Sequence, residues 1–155
     1  MQRSILSLSS ALLLAMLASA PERVQAATPA EEARSATDAI VGEWWTEKKD
    51  GRVKFFRAKN GTYQGILVWD ASDKDGTKKD TKNPDPAMRN RPVVGIVLMW
   101  HLTFKDNEYE DSRVYDPDSG KTYKVEARVE RDGRLKVHGY VGISVFGSSE
   151  HWTRV

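Results

Sequence analysis

Three histidines, His101, His138 and His151, are the only imidazoles in a chain that has no cysteine. A zinc site would need all three to converge, and their separation shows no ligand spacing. Each is read as a half-exposed strand residue. Asp73-Lys74-Asp75-Gly76 has part of a calcium loop, but Ala71 and Lys82 stand where that loop needs acids. Gly147-Ser148-Ser149 is not the Gly-x-Ser-x-Gly elbow of a serine nucleophile, and no glycine-rich phosphate loop is present. No catalytic residue, metal or cofactor is therefore expected.

The aromatic residues carry more. Five tryptophans and five tyrosines are many for 155 residues. They can fill a core, or Tyr63, Trp69, Trp100, Tyr123 and Tyr140 can line a cavity for an apolar or amphipathic molecule. Period-two alternation turns Tyr123 inward. Tyr140 is out of phase with Val137 and turns inward only if Gly139 or Gly142 marks a bulge. A second group lies in residues 70–92, a connection longer than a plain sheet needs. There Asp80, Asn83, Arg89 and Arg91 are placed to bond to one another and pin the segment as a lid, stiffened by Pro84, Pro86 and Pro92. Direct contact of this segment with a ligand is the alternative.

These residues must be positioned by strands. From residue 121 to 130 the chain alternates, with Tyr123, Val125, Ala127 and Val129 on one face and Lys124, Glu126, Arg128 and Glu130 on the other. Asp116-Pro117-Asp118-Ser119-Gly120, Arg131-Asp132-Gly133 and Asn60-Gly61 are turn chemistry. Strands are predicted over residues 41–47, 53–58, 62–70, 93–104 (broken near Gly95), 110–115, 121–130, 134–140 and 150–154. Eight sequential strands predict an all-β, antiparallel up-and-down meander that closes into a barrel and so removes its edges. A two-sheet sandwich is the runner-up.

Gly42-Glu43-Trp44 at the head of the first strand resembles the Gly-x-Trp signature of lipocalins and related calycin barrels. That resemblance implies that a late arginine, here Arg154, stacks on Trp44 and closes the barrel end. A longer pattern runs through Lys79-Asp80-Thr81-Lys82-Asn83-Pro84-Asp85-Pro86, Arg89-Asn90-Arg91-Pro92-Val93-Val94-Gly95, Val114-Tyr115-Asp116-Pro117, Gly120-Lys121-Thr122-Tyr123 and Leu135-Lys136-Val137-His138-Gly139-Tyr140-Val141-Gly142. In that order it resembles the domain of unknown function 2147 family, small exported bacterial proteins with a lipocalin-like barrel. The chain departs from the family at His138, where an arginine is usual, and at residues 110–112 and 147–150. The resemblance implies a fold and supplies no catalytic residue.

Residues 1–26 read as a cleavable signal: Arg3, a short apolar run, and Val24-Gln25-Ala26 before the cut. The run is shorter than the ~20 residues that cross a bilayer. A periplasmic or secreted protein is expected. Residues 27–40 form a leader with a possible short helix that adds little to the core, and residues 41–155 form the barrel domain. Removing Arg3, Glu22 and Arg23 brings the formal net charge of +2 closer to neutrality. Nothing in that balance points to nucleic acid. The expected function is non-catalytic binding of a small hydrophobic or amphipathic ligand. An envelope protein–protein interaction or assembly module with a filled barrel is the alternative.

Overall fold

The structure is a computed structural model that describes residues 27–145 and 147–155. The expected signal segment lies outside the described residues. Helix α1 (Pro29–Thr37) opens on a capping box, in which Thr28 and Glu31 each accept a hydrogen bond from the other's backbone N–H. The strands follow as β1 (Gly42–Trp45), β2 (Gly51–Arg57), β3 (Tyr63–Asp70), β4 (Val97–Lys105), β5 (Glu108–Asp116), β6 (Lys121–Val129), β7 (Leu135–Tyr140) and β8 (Gly147–Arg154). Each pairs antiparallel with the next, and β8 returns to β1, which closes the barrel.

Period-two alternation decides what fills it. Val53 and Phe55 of β2, Tyr63 and Leu67 of β3, Val125 and Ala127 of β6, and Leu135 and Val137 of β7 are buried. The register brings Ala127 opposite Val137, and Leu135 opposite Trp152. Bulges interrupt the ladders where the pattern gave no warning. The β2–β3 register shifts between Arg52 and Val53, so that Val68 has no partner. In β4 and β5, His101 and Asp111 take positive φ of 61° and 57°, and the β3–β4 and β5–β6 registers shift beside them. The ladder through Gly139 is unbroken, with Val125 facing Gly139 and Lys124 facing Tyr140. A bulge at Gly139 is thereby excluded. The fourth strand begins at Val97 rather than residue 93, because residues 92–96 finish the long connection, with Gly95 at φ 99°.

One barrel end is sealed. Trp44 is fully buried and its Nε1 donates to Ile40 O at 2.7 Å. The Arg154 guanidinium stacks 4.3 Å from the Trp44 ring centroid and donates to the Val41 and Ala39 carbonyls. Gly42 is required beneath it. Its φ is +124°, and a Cβ there would lie 2.8 Å from Arg154 Nη1. Tyr109 Oη accepts from Ile40 N at 3.0 Å and donates to Thr37 O at 2.8 Å. Tyr63 Oη donates to Asp38 Oδ1 at 2.6 Å, and the two tyrosine rings meet edge to face at 5.3 Å. Helix α1 itself buries nothing, but the residues just after it plug the barrel floor.

Candidate functional site

The opposite end holds a chamber. Its wall is Met99, Val114, Tyr123, Val125, Val137 and Trp152, with Gly139, Ser148 and Glu150 completing it, and its volume is about 330 Å³. It shares Met99, Val114 and Trp152 with a wider basin of about 590 Å³ at the mouth, so the one opens into the other. The basin is rimmed by the β1–β2 turn (Thr46, Asp50), the start of the β3–β4 connection (Asp70, Ala71, Ser72, Lys74) and the β5–β6 turn (Asp116, Pro117, Asp118). Val114 and Tyr123 point inward yet are only half-buried, as expected of residues that face an open space.

Glu150 is the chamber's one acid. On β8 it stands opposite Val137, between Ser148 opposite Gly139 and Trp152 opposite Leu135. All three therefore turn to the inner face. Glu150 Oε2 accepts from Trp152 Nε1 at 2.8 Å. Glu150 was not among the residues expected from the sequence. The available signal was its separation of two from Trp152, since an inward Trp152 turns Glu150 inward as well.

Of the five aromatic residues expected to line a cavity, the structure places Tyr123 in the chamber wall. Tyr63 is inside the barrel but belongs to the sealed floor. The other three are corrections. Trp69 follows the bulge at Val68, pairs with Arg52 and lies on the outer face, edge to face with Trp45 at 5.3 Å. Trp100 pairs with Arg113, one step out of phase with inward Met99. Tyr140 lies outside beside Lys124 and Glu126, donating to Glu126 Oε1 at 3.0 Å.

The structure brings Asp80, Asn83, Arg89 and Arg91 together. Asp80 is fully buried. It accepts from Tyr115 Oη at 2.5 Å, Asn83 Nδ2 at 2.7 Å and Arg91 Nε at 3.0 Å, and Arg91 Nη2 lies 2.9 Å from it. Arg89 Nε donates to Asn83 O at 2.8 Å. The segment is also tied to the β5–β6 turn, where Lys78 Nζ bridges Asp70 and Asp118 at 2.8 Å each. The fit there is close: at Gly120, with φ +71°, a Cβ would lie 2.0 Å from Lys82 O. The cluster is not part of the chamber wall. Only the first residues of the connection reach the mouth, and the pinned part packs on Tyr115 of β5.

Two buried phenols make stability depend on alkaline pH. Burial raises Tyr115 from 10.0 to about 12, with the adjacent Asp80 adding to it. Burial does the same for Tyr109, from 10.0 to about 12. The folded values lie above the unfolded ones, so this contribution is complete below about pH 10 and is lost as pH rises toward 12. Urea midpoints measured from pH 8 to 12 should stay level and then fall above 10. Tyr109→Phe and Tyr115→Phe should each flatten that fall.

The histidines do not converge. His101 is exposed on β4. His151 Nε2 lies 3.5 Å from Glu130 on the outer wall. His138 Nδ1 meets Ser149 Oγ at 2.8 Å and its Nε2 meets Ser144 O at 2.7 Å. This serine–histidine contact faces out, and a backbone carbonyl, not a carboxyl group, orients the ring. Among the described residues no group of three potential ligands could hold a metal ion, and no helix is long and apolar enough to cross a membrane.

A closed, antiparallel eight-stranded barrel, sealed at one end by Trp44 and Arg154 and hollow at the other, defines a lipocalin-like protein. Within that class the chain belongs to the family described as "Uncharacterized protein conserved in bacteria (DUF2147)", which it matches over residues 42–154. It is also similar to the solved structure "Protein HP1028 from the human pathogen Helicobacter pylori belongs to the lipocalin family". That likeness has a TM-score of 0.67 and 28% identity, covering 75% of this chain and 82% of that one. No curated protein matches it.

Proposed function

We propose that this is an exported, non-catalytic binding protein that carries a small hydrophobic or amphipathic molecule in the chamber, in the periplasm or outside the cell. The single observation behind this reading is the chamber itself. At about 330 Å³ it is at the lower end of the usual range for ligand pockets, roughly 300–1,000 Å³. Six of its wall residues are apolar or aromatic, and it adjoins the basin at the mouth through Met99, Val114 and Trp152. Native mass spectrometry of protein purified from its own compartment is the test. A reproducible bound small molecule supports the carrier, and a clean apo mass in every preparation counts against it.

Blocking the chamber should weaken binding without unfolding the barrel. Gly139 faces inward, has ordinary backbone angles, and an added Cβ would meet nothing nearer than Lys124 O at 3.9 Å. Gly139→Leu is expected to weaken an amphipathic probe by about tenfold or more, that is ~1.4 kcal/mol. The thermal midpoint should hold or rise. Equal affinity in wild type and variant would place binding elsewhere.

One observation favours the second reading, an envelope assembly module. The β7–β8 loop at the mouth end exposes Val141, Ile143 and Val145, at 71%, 62% and 80%. Single exposed apolar residues need no explanation, but three in one loop suit a protein contact. A co-purifying protein lost on replacing the three by serine, with a clean apo mass, would favour this module over the carrier.

A further inference from the structure

We propose that the chamber selects a cationic amphiphile, an apolar body ending in an ammonium or similar cation, and that the Glu150 carboxyl group receives the positive end. This rests on reading the chamber as a ligand site.

A lone acid is not needed to fill a barrel, and apolar residues fill this one elsewhere. Glu150 nevertheless projects from the inner face of β8, between Ser148 and Trp152 and across from Val137. Only its Oε2 has a described partner, the Trp152 indole N–H. The indole bond fixes the carboxyl group in the wall and leaves Oε1 without a described donor. Around it stand Trp152 and Tyr123, in the same wall as Met99, Val114 and Val125. A carboxyl group beside aromatic rings is the chemistry that recognises ammonium groups: the ring faces attract the cation and the acid pairs with it. An anionic amphiphile such as a fatty acid would meet the opposite arrangement, with no lysine or arginine among the chamber residues.

The approach has the same sign. The mouth wall carries Asp50, Asp70, Asp116 and Asp118 against Lys74 alone. Lys78 bridges Asp70 and Asp118, which still leaves a negative surplus at the rim. Such a rim draws cations inward and slows anions. The selectivity itself is set inside, at Glu150.

The probes are decyltrimethylammonium, decanoate and decanol, each below its aggregation threshold and followed by tryptophan fluorescence and calorimetry. They share a chain and differ in the charge of the head. The cation is expected to bind about tenfold or more tighter than the other two. Glu150→Gln, whose amide oxygen still accepts from the Trp152 indole, should erase that advantage, so that the cation binds no tighter than decanol does to the same variant. Decanoate binding best, or Glu150→Gln keeping the full cation preference, would overturn the proposal. Decanol bound with no preference among heads overturns the cation inference while the carrier reading stands. Failure of all three to bind overturns both. If Glu150→Gln does not fold, the wild-type ranking of the three probes decides by itself.

Discussion

Replacing Asp80 with alanine is expected to lower the unfolding free energy by about 3 kcal/mol or more. The carboxyl group is fully buried and serves Tyr115, Asn83 and Arg91 together. Without it the Tyr115 hydroxyl and the Asn83 amide lose their acceptor inside the protein, where an unpaired polar group costs ~1–3 kcal/mol. The Arg91 side chain is 37% exposed and can turn part of its charge to water, which holds the loss to the lower end of the range for a broken buried pair. The damage should begin locally. Asp80 N donates to Arg91 O and Val93 N donates to Lys78 O, so the two arms of the connection are held as a short ladder around this carboxyl group. Hydrogen exchange of the amides of Asp80 and Val93 should accelerate more than that of β6 or β7. A urea midpoint unchanged from wild type would show that the barrel does not depend on the cluster.

Trp44→Ala should be as costly or more so, about 3–5 kcal/mol. The ring is wholly enclosed at the sealed end, packed beneath the Arg154 guanidinium. Truncation opens a cavity there and also removes the indole donor to Ile40 O, a bond worth ~1 kcal/mol net. Typical domains hold only about 5–15 kcal/mol in total, so this one change should remove a large share. Urea unfolding followed by far-ultraviolet circular dichroism measures it. A loss under ~1 kcal/mol would mean that the sealed end collapses onto the space at little cost.

What could be read in the sequence follows from period and local chemistry. The alternation of residues 121–130 survives as β6, and the turn residues lie between the strands they were read to join. Trp44 and Arg154 meet at the closed end across the β1–β8 pairing, and Gly42 stands beside them because a side chain there would collide with the arginine. The bulges were not legible. A bulge adds one residue and reverses inside and outside for everything beyond it. Trp69 is the clearest case: strict alternation with Leu67 turns it inward, and the unpaired Val68 turns it out. Tyr140 shows the converse, since the glycines beside it read as a bend while the ladder through Gly139 runs straight. Glu150 escaped notice for a different reason. Charge argues for solvent residue by residue, whereas its place two residues before inward Trp152, opposite Val137, turns it to the chamber.

The seam between β1 and β8 has a kinetic consequence. Every other neighbour in the barrel is joined by a hairpin or a single connection, so those pairings form between segments close along the chain. The seam joins Trp44 to Arg154 and Trp45 to Thr153, two register pairs drawn from opposite ends of the domain. Loop closure of that length carries the largest entropic cost in the molecule. A refolding chain should therefore assemble an open, curled sheet first and zip this line last. Until then both outer strands offer unpaired backbone to any neighbouring chain. Crowding during refolding should accordingly favour strand exchange between copies, and dilution should favour the closed monomeric barrel.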